Sequence, residues 1–272
     1  MNATAIKGPQ REEAVSVLDG RIDLHFKIAG NGPPVVYLHS AAGLYWDAFV
    51  DRLADDHTVY APELPGTSVG VPYAIHEVHD YWTLLLLYEE ALTRLGLQRP
   101  AAVGQSMGGM MVLDLAANFR GLFDRLVALA PAGLWRDDAP NRLADLYAAA
   151  PENVPGFLFN DPNHPGAQEL FALPEDPEQI PQAIAAHTWA LGCAGKFLWP
   201  LADQGLERRL YRVDNPSLIV WGRNDALIPV ALAQEFAERL KNGRVEIIDE
   251  CGHLPAIEQF DQTFDLVTSF ID

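Results

Sequence analysis

The sequence predicts an α/β protein built on one doubly wound, mostly parallel sheet of eight strands, with a helical segment inserted late in the chain. Three observations point there. Apolar strand-like runs alternate with helix-like stretches along most of the 272 residues, the pattern of a sheet covered on both faces. From Pro34 onward the strands are continuously apolar, as buried parallel strands are. Between residues 131 and 200 the alternation stops and ten of the twenty prolines gather, which marks an insertion. The expected division is a core of residues 1–133 and 206–272 and a helical lid of residues 134–205.

Taken in order, Ala14 to Leu18 and Arg21 to Ile28 alternate apolar with polar around Asp19-Gly20, a hairpin signal. Pro34 to His39 is the first buried parallel strand, ending in the small-residue loop Ser40-Ala41-Ala42-Gly43, and Thr58 to Ala61 is the next. A long, mainly apolar helix is expected from Ile75 to Leu95, closed by Gly96. His76 and His79 at its start stand three apart, a spacing a metal pair uses, yet no third ligand accompanies them; no metal or cofactor is expected. Arg125 to Ala130 is the sixth strand. The insertion keeps Trp135, Tyr147, Phe157, Phe159, Phe171, Trp189, Phe197 and Trp199, with short helices expected over Asn141 to Ala150 and Pro177 to Leu191. Some of these aromatics build the lid's own core and others wall a pocket, with Trp135 taken as a pocket residue. The core resumes with the strand Pro216 to Gly222, a helix from Val230 to Leu240, the strand Arg244 to Ile248 and a last helix to Phe270.

Composition narrows the function. Hydrophobic residues at 49% supply a large core, and the charged fraction of 21% gives no sign of disorder. A formal charge of -18 repels phosphate backbones and anionic membrane surfaces, so neither nucleic acid nor membrane is an expected partner. Arg208, Arg209 and Arg212, beside Glu207, read as a solvated helix face. Cys193 and Cys251 form no Cys-x-x-Cys pair and read as buried thiols of a reducing compartment. The polar stretch Met1 to Glu13 lacks a signal-peptide core, which makes the cytoplasm the expected location and leaves a homo-oligomer open.

Gly104-Gln105-Ser106-Met107-Gly108 carries the chemistry. The apolar run Ala101 to Val103 enters it and a helical spacing leaves it, so a strand turns into a helix within a few residues. Such a turn forces Ser106 into a strained backbone conformation and needs small neighbours, which Gly104 and Gly108 provide. It lifts the hydroxyl clear of the sheet, with the Met107 amide at a helix N-terminus beside it. A serine hydroxyl is a poor nucleophile and needs a base held by a third group. Asp225 and His253 follow the last two strands, and parallel strands deliver such loops to one rim. Asp249 and Glu250 are the other carboxylates placed to orient the imidazole.

On these residues the chain resembles the α/β-hydrolase family. That resemblance implies Ser106 as nucleophile, Asp225 as acid and His253 as base, in that order along the chain, and it favours Asp225 over its two rivals. It also implies a second oxyanion donor at the Ala41 amide beside that of Met107, with His39 bracing the loop. Ser40 stands where the family more often has Gly, and it either adds a donor to the pocket or bonds its own backbone. The implied activity is hydrolysis of a carboxylic ester or lactone of a small apolar or aromatic substrate through an acyl-enzyme, without a cofactor. A carbon-carbon bond hydrolase of the meta-cleavage type shares the constellation but typically has Trp after the base, where this chain has Leu254. A perhydrolase, or a receptor using the same fold, are the further alternatives. The serine at the elbow argues against the haloalkane dehalogenases and epoxide hydrolases, which use aspartate there.

Overall fold

The computed structural model describes residues 6–198 and 204–272. Trp199 and the first five residues of the polar N-terminal stretch lie outside them. Strands β1 (Arg11–Val17), β2 (Ile22–Ala29), β3 (Pro34–Leu38), β4 (Thr58–Pro62), β5 (Ala101–Gln105), β6 (Leu126–Leu129), β7 (Ser217–Gly222) and β8 (Gly243–Ile248) join in one sheet. Its order is β1-β2-β4-β3-β5-β6-β7-β8. The hairpin β1–β2 and the pair β2–β4 are antiparallel; every pairing beyond is parallel. This is the doubly wound, mostly parallel sheet of eight strands that the sequence predicts.

Helices α1 (Ala48–Leu53), α2 (Tyr81–Arg94) and α3 (Met107–Asn118) fall before β6. Between β6 and β7 come α4 (Leu143–Ala148), α5 (Pro155–Leu158), α6 (Pro165–Leu170) and α7 (Ile180–Leu198). Then α8 (Ala231–Arg239) precedes β8, and α9 (Pro255–Glu258) and α10 (Phe260–Ile271) close the chain. Because side chains alternate along a strand, each parallel strand feeds both faces. Val36 and Leu38 of β3 pack in the core with α2, α3 and α8, while Val35 and Tyr37 join Phe49 of α1 and Val267 of α10. Burial on both sides is the reason these strands read as unbroken apolar runs.

Several expectations need correction. The helix expected over 75–95 is two elements. A 3-10 turn spans Pro72–Glu77, Val78 is extended, and Asp80 caps a new helix by accepting the Thr83 amide at 2.7 Å. A capping carboxylate offers the backbone an alternative to helix continuation, which splits an otherwise helical pattern. His76 stacks on Tyr73 in the turn. The helix expected over 141–150 is shorter, Leu143–Ala148, and that expected over 177–191 runs from Ile180 to Leu198. Gly195 lies inside the latter against the Tyr147 ring, 3.6 Å from where its Cβ would stand. Of the arginine cluster only Arg208 is solvated as expected. Arg209 forks onto the fully buried Asp114 of α3 at 2.6 and 2.7 Å, and the Arg212 Nε donates to the Ala117 carbonyl near the end of the same helix. Both therefore pin α3. Cys193 and Cys251 are buried free thiols. No helix among the described residues is long and apolar enough to cross a membrane.

Candidate active site

At the end of β5 the backbone of Ser106 adopts φ 56° and ψ -112°, a conformation rare for a residue with a side chain. Main-chain bonds hold it there: its N–H donates to the Leu129 carbonyl at 2.8 Å, and its carbonyl accepts the amides of Met110 at 3.0 Å and Ala132 at 3.1 Å. A Cβ on Gly104 would lie 2.4 Å from the Gly108 carbonyl, and one on Gly108 would lie 1.9 Å from the Leu38 oxygen. Only glycine fits either position. The same closeness seats the first turn of α3 against the end of β3 and the His39 carbonyl. The Met107 amide opens α3, where helix geometry provides no intrahelical carbonyl for it.

His253, beyond β8, lies between Ser106 and Asp225. Its Nε2 is 2.9 Å from the Ser106 Oγ and its Nδ1 is 2.7 Å from the Asp225 Oδ2. Ser106 is 5% exposed and His253 2%. The Asp225 Oδ1 accepts the amides of Leu227 at 2.9 Å and Ile228 at 2.8 Å, and its Oδ2 also accepts the Trp221 indole N–H at 3.0 Å. An ionised carboxylate only accepts, so the shared proton sits on Nδ1 and the Nε2 lone pair faces the serine hydroxyl. Asp249 instead pairs with Arg223 at the surface, and the Glu250 carbonyl accepts from Gln259.

Above this line opens a cavity of about 410 Å³. Ser40 and Ala41 line it together with Ser106 and His253, and Leu143, Leu146, Tyr147, Leu158, Phe171 and Leu191 form much of its apolar wall. His187 of α7 reaches the cavity while remaining exposed, and burial of its inner face lowers its pKa. Trp135, expected in the pocket, is not among the lining residues. It is 39% exposed and its indole N–H donates to Asp137 at 2.9 Å, the amphipathic ring having found its partner at the surface. His39 donates Nδ1–H to the Ser40 carbonyl at 2.6 Å, and burial, outweighing that bond and Glu63, lowers its pKa. It is a neutral ring that holds the loop from within. The described residues contain no group of three side chains suited to hold a metal.

The side chains that sequence reasoning missed are those that hold the line in place. Trp221 contacts Asp225, Gln105 donates its amide to the His253 carbonyl at 2.9 Å, and Glu258 is buried beneath the His253 loop. Asp47 and Glu63 line the cavity as its charged groups, Glu63 paired with Lys27 at 3.3 Å. Gln105 ends β5 directly before Ser106, a signal that was available, whereas Trp221 stands near the end of β7 four residues ahead of Asp225. No comparable signal marks Glu258 or Asp47.

A serine, an imidazole and a carboxylate in line at the rim of a doubly wound sheet define a hydrolase of the α/β type. The chain belongs to the alpha/beta hydrolase fold family, whose model matches residues 33–260. A pimeloyl-[acyl-carrier protein] methyl ester esterase of Aromatoleum aromaticum is 30% identical over 83% of this chain and 92% of its own. A 2-hydroxy-6-oxo-2,4-heptadienoate hydrolase of Pseudomonas putida is 24% identical over 94% of this chain and 95% of its own. Among solved structures, a membrane phospholipase A, a bacterial virulence factor, superposes with a TM-score of 0.77 at 21% identity, covering 96% of this chain and 86% of that one. At that identity the likeness is one of fold.

Proposed function

We propose that this hydrolase cleaves an uncharged carboxylic ester or lactone with a small apolar acyl group through an acyl-enzyme. The reading rests on the buried line from the Ser106 Oγ through His253 to Asp225 at the floor of an apolar cavity. Ser106 attacks the acyl carbon as its proton passes to the His253 Nε2, and the oxyanion faces the amides of Met107 and Ala41. Donors of that kind each contribute about 10²–10³ in rate. His253 then gives the proton to the departing alkoxide as the C–O bond breaks, and next takes one from water, which releases the acid and restores the serine. Residues 134–205 act as the lid over this cavity, and the core is residues 1–133 and 206–272.

Glu63 being paired with Lys27, the Asp47 carboxyl on the wall, ionised above about pH 6, favours an uncharged substrate over a carboxylate such as a dienoate. Leu254 after the base points the same way, so the ester reading stands ahead of carbon-carbon cleavage. The test is pre-steady-state release of chromophore from p-nitrophenyl butyrate. A burst equal to the enzyme concentration is expected in wild type, with acyl mass on the peptide carrying Ser106. Ser106→Ala should show neither, and identical behaviour of the two proteins would overturn the assignment.

A further inference from the structure

Glu258 lies at the end of α9, 6% exposed, and its carboxylate accepts three backbone amides and, among the described residues, pairs with no cation. Gly252, the residue before His253, donates at 2.6 Å. Asp161 and Asn160 donate at 2.8 and 3.0 Å, and both belong to the stretch that follows α5, far away in sequence. A second bond closes the same joint, from the His253 N–H to the Leu158 carbonyl at 2.8 Å. The backbones touch there. A Cβ on Gly252 would come within 2.7 Å of both the Asn160 nitrogen and the Leu158 oxygen. Phe159 and Leu254 then pack together with Ala167 of α6 just beyond the joint.

A carboxylate removed from water is costly unless hydrogen bonds replace its hydration, and three short amide contacts do that here. They serve it only while residues 158–161 and 252–253 stay together. The imidazole is thus mounted from three sides: Leu158 at the amide of His253, Gln105 at its carbonyl, and Asp225 at its ring.

We infer that Glu258 is a positioning residue that clamps the inserted segment 158–161 to the His253 loop and so sets the reach of the imidazole to Ser106. The inference rests on the serine-hydrolase reading above. It makes the α5–α6 stretch a part of the mount for the base, so substrate entry does not proceed by lifting that stretch away.

Glu258→Gln tests it, since it keeps the shape but sets an NH₂ against backbone N–H donors. Active sites are counted by burst amplitude with p-nitrophenyl butyrate, and kcat is expressed per titrated site. The expected result is a kcat lower by about ten- to a hundredfold, as misplacement of a reacting group by a fraction of an ångström to an ångström produces, with KM within about threefold. Glu258→Asp retains the charge but falls a methylene short, and it should lie between Gln and wild type. A merely structural role would lower the titrated fraction and the melting temperature and leave kcat per site and KM unchanged; that result overturns the inference. Should Glu258→Gln yield no folded protein, the same comparison on Glu258→Asp decides, with unchanged kcat per site again the overturning result. A wild type without a burst would refute the serine-hydrolase reading instead, so the two failures are distinct.

Discussion

Replacing Asp225 by Asn tests whether the carboxylate works by fixing the imidazole tautomer. The side chain has four donors around it: the Leu227 and Ile228 amides on Oδ1, and the Trp221 indole and His253 Nδ1 on Oδ2. Asparagine has one oxygen. With that oxygen at the Oδ1 site it keeps both amide bonds, and its NH₂ faces the Trp221 N–H and the His253 Nδ1. The reverse orientation sets the NH₂ against two amides and restores only the indole and imidazole contacts. The first is better by roughly one hydrogen bond, about 1 kcal/mol. Facing an NH₂ donor, Nδ1 becomes the acceptor and the proton moves to Nε2, where it points at the Ser106 Oγ and removes the base. The expected loss in kcat is about 10⁴-fold, or about 5 kcal/mol of transition-state stabilisation. The melting temperature should fall only modestly, because the Leu227 and Ile228 amide bonds persist and the Trp221 indole keeps the Ile228 carbonyl at 3.1 Å as an acceptor. Ester turnover per titrated site at saturating substrate measures it. A loss under tenfold in correctly folded Asp225→Asn would show that the carboxylate does not set the tautomer.

Two further predictions concern the scaffold. Gly108→Ala would drive a methyl group to 1.9 Å from the Leu38 oxygen, so the end of β3 and the start of α3 must separate; soluble yield and melting temperature should collapse, and a native-like melting curve would contradict the close approach. Asp47 caps α1 through the Val50 amide, yet burial, opposed by backbone amides and reinforced by Glu169, pushes its carboxyl up to about 6. A folded pKa above the unfolded value of 3.8 means that the contribution is fully present below about pH 4 and is lost as pH rises through about 6. Asn caps equally well without ionising, so Asp47→Asn should gain about 1–3 kcal/mol at pH 7.5 and little at pH 4. Melting curves at the two pH values decide it, and an equal gain at both would sink the account.

Much of the fold was legible because its signals are periodic and local. A parallel strand buried on both faces must be apolar throughout, so β3, β5, β6 and β7 announce themselves, and the turn at Ser106 must carry glycines where β3 and α3 nearly touch. The split at Asp80 was harder to read. A capping aspartate and a mid-helix aspartate look alike until the chain on either side is known to change direction. Trp135 misled for a related reason: an aromatic in a lid-like segment suits a pocket wall and a surface indole with a nearby acceptor equally, and Asp137 two residues on supplied the acceptor.

The residues of the serine–imidazole–carboxylate line and the residues that hold it differ in how topology constrains them. Ser106, Asp225 and His253 stand just past the ends of three parallel strands, β5, β7 and β8, with β6 between the first two. Strand order alone therefore brings them to one rim, whatever the loops do. Glu258, Gln105 and Trp221 act on that rim only through loop contacts whose partners lie 4 to 148 residues away, and no period records such pairings. A sheet delivers its loops to within a few ångströms of one another, whereas the reaction proposed here demands contacts of 2.7 and 2.9 Å. The difference is made up by short bonds to a buried carboxylate, an amide and an indole. The chemistry of the site follows from strand order, and its accuracy from side chains that strand order does not specify.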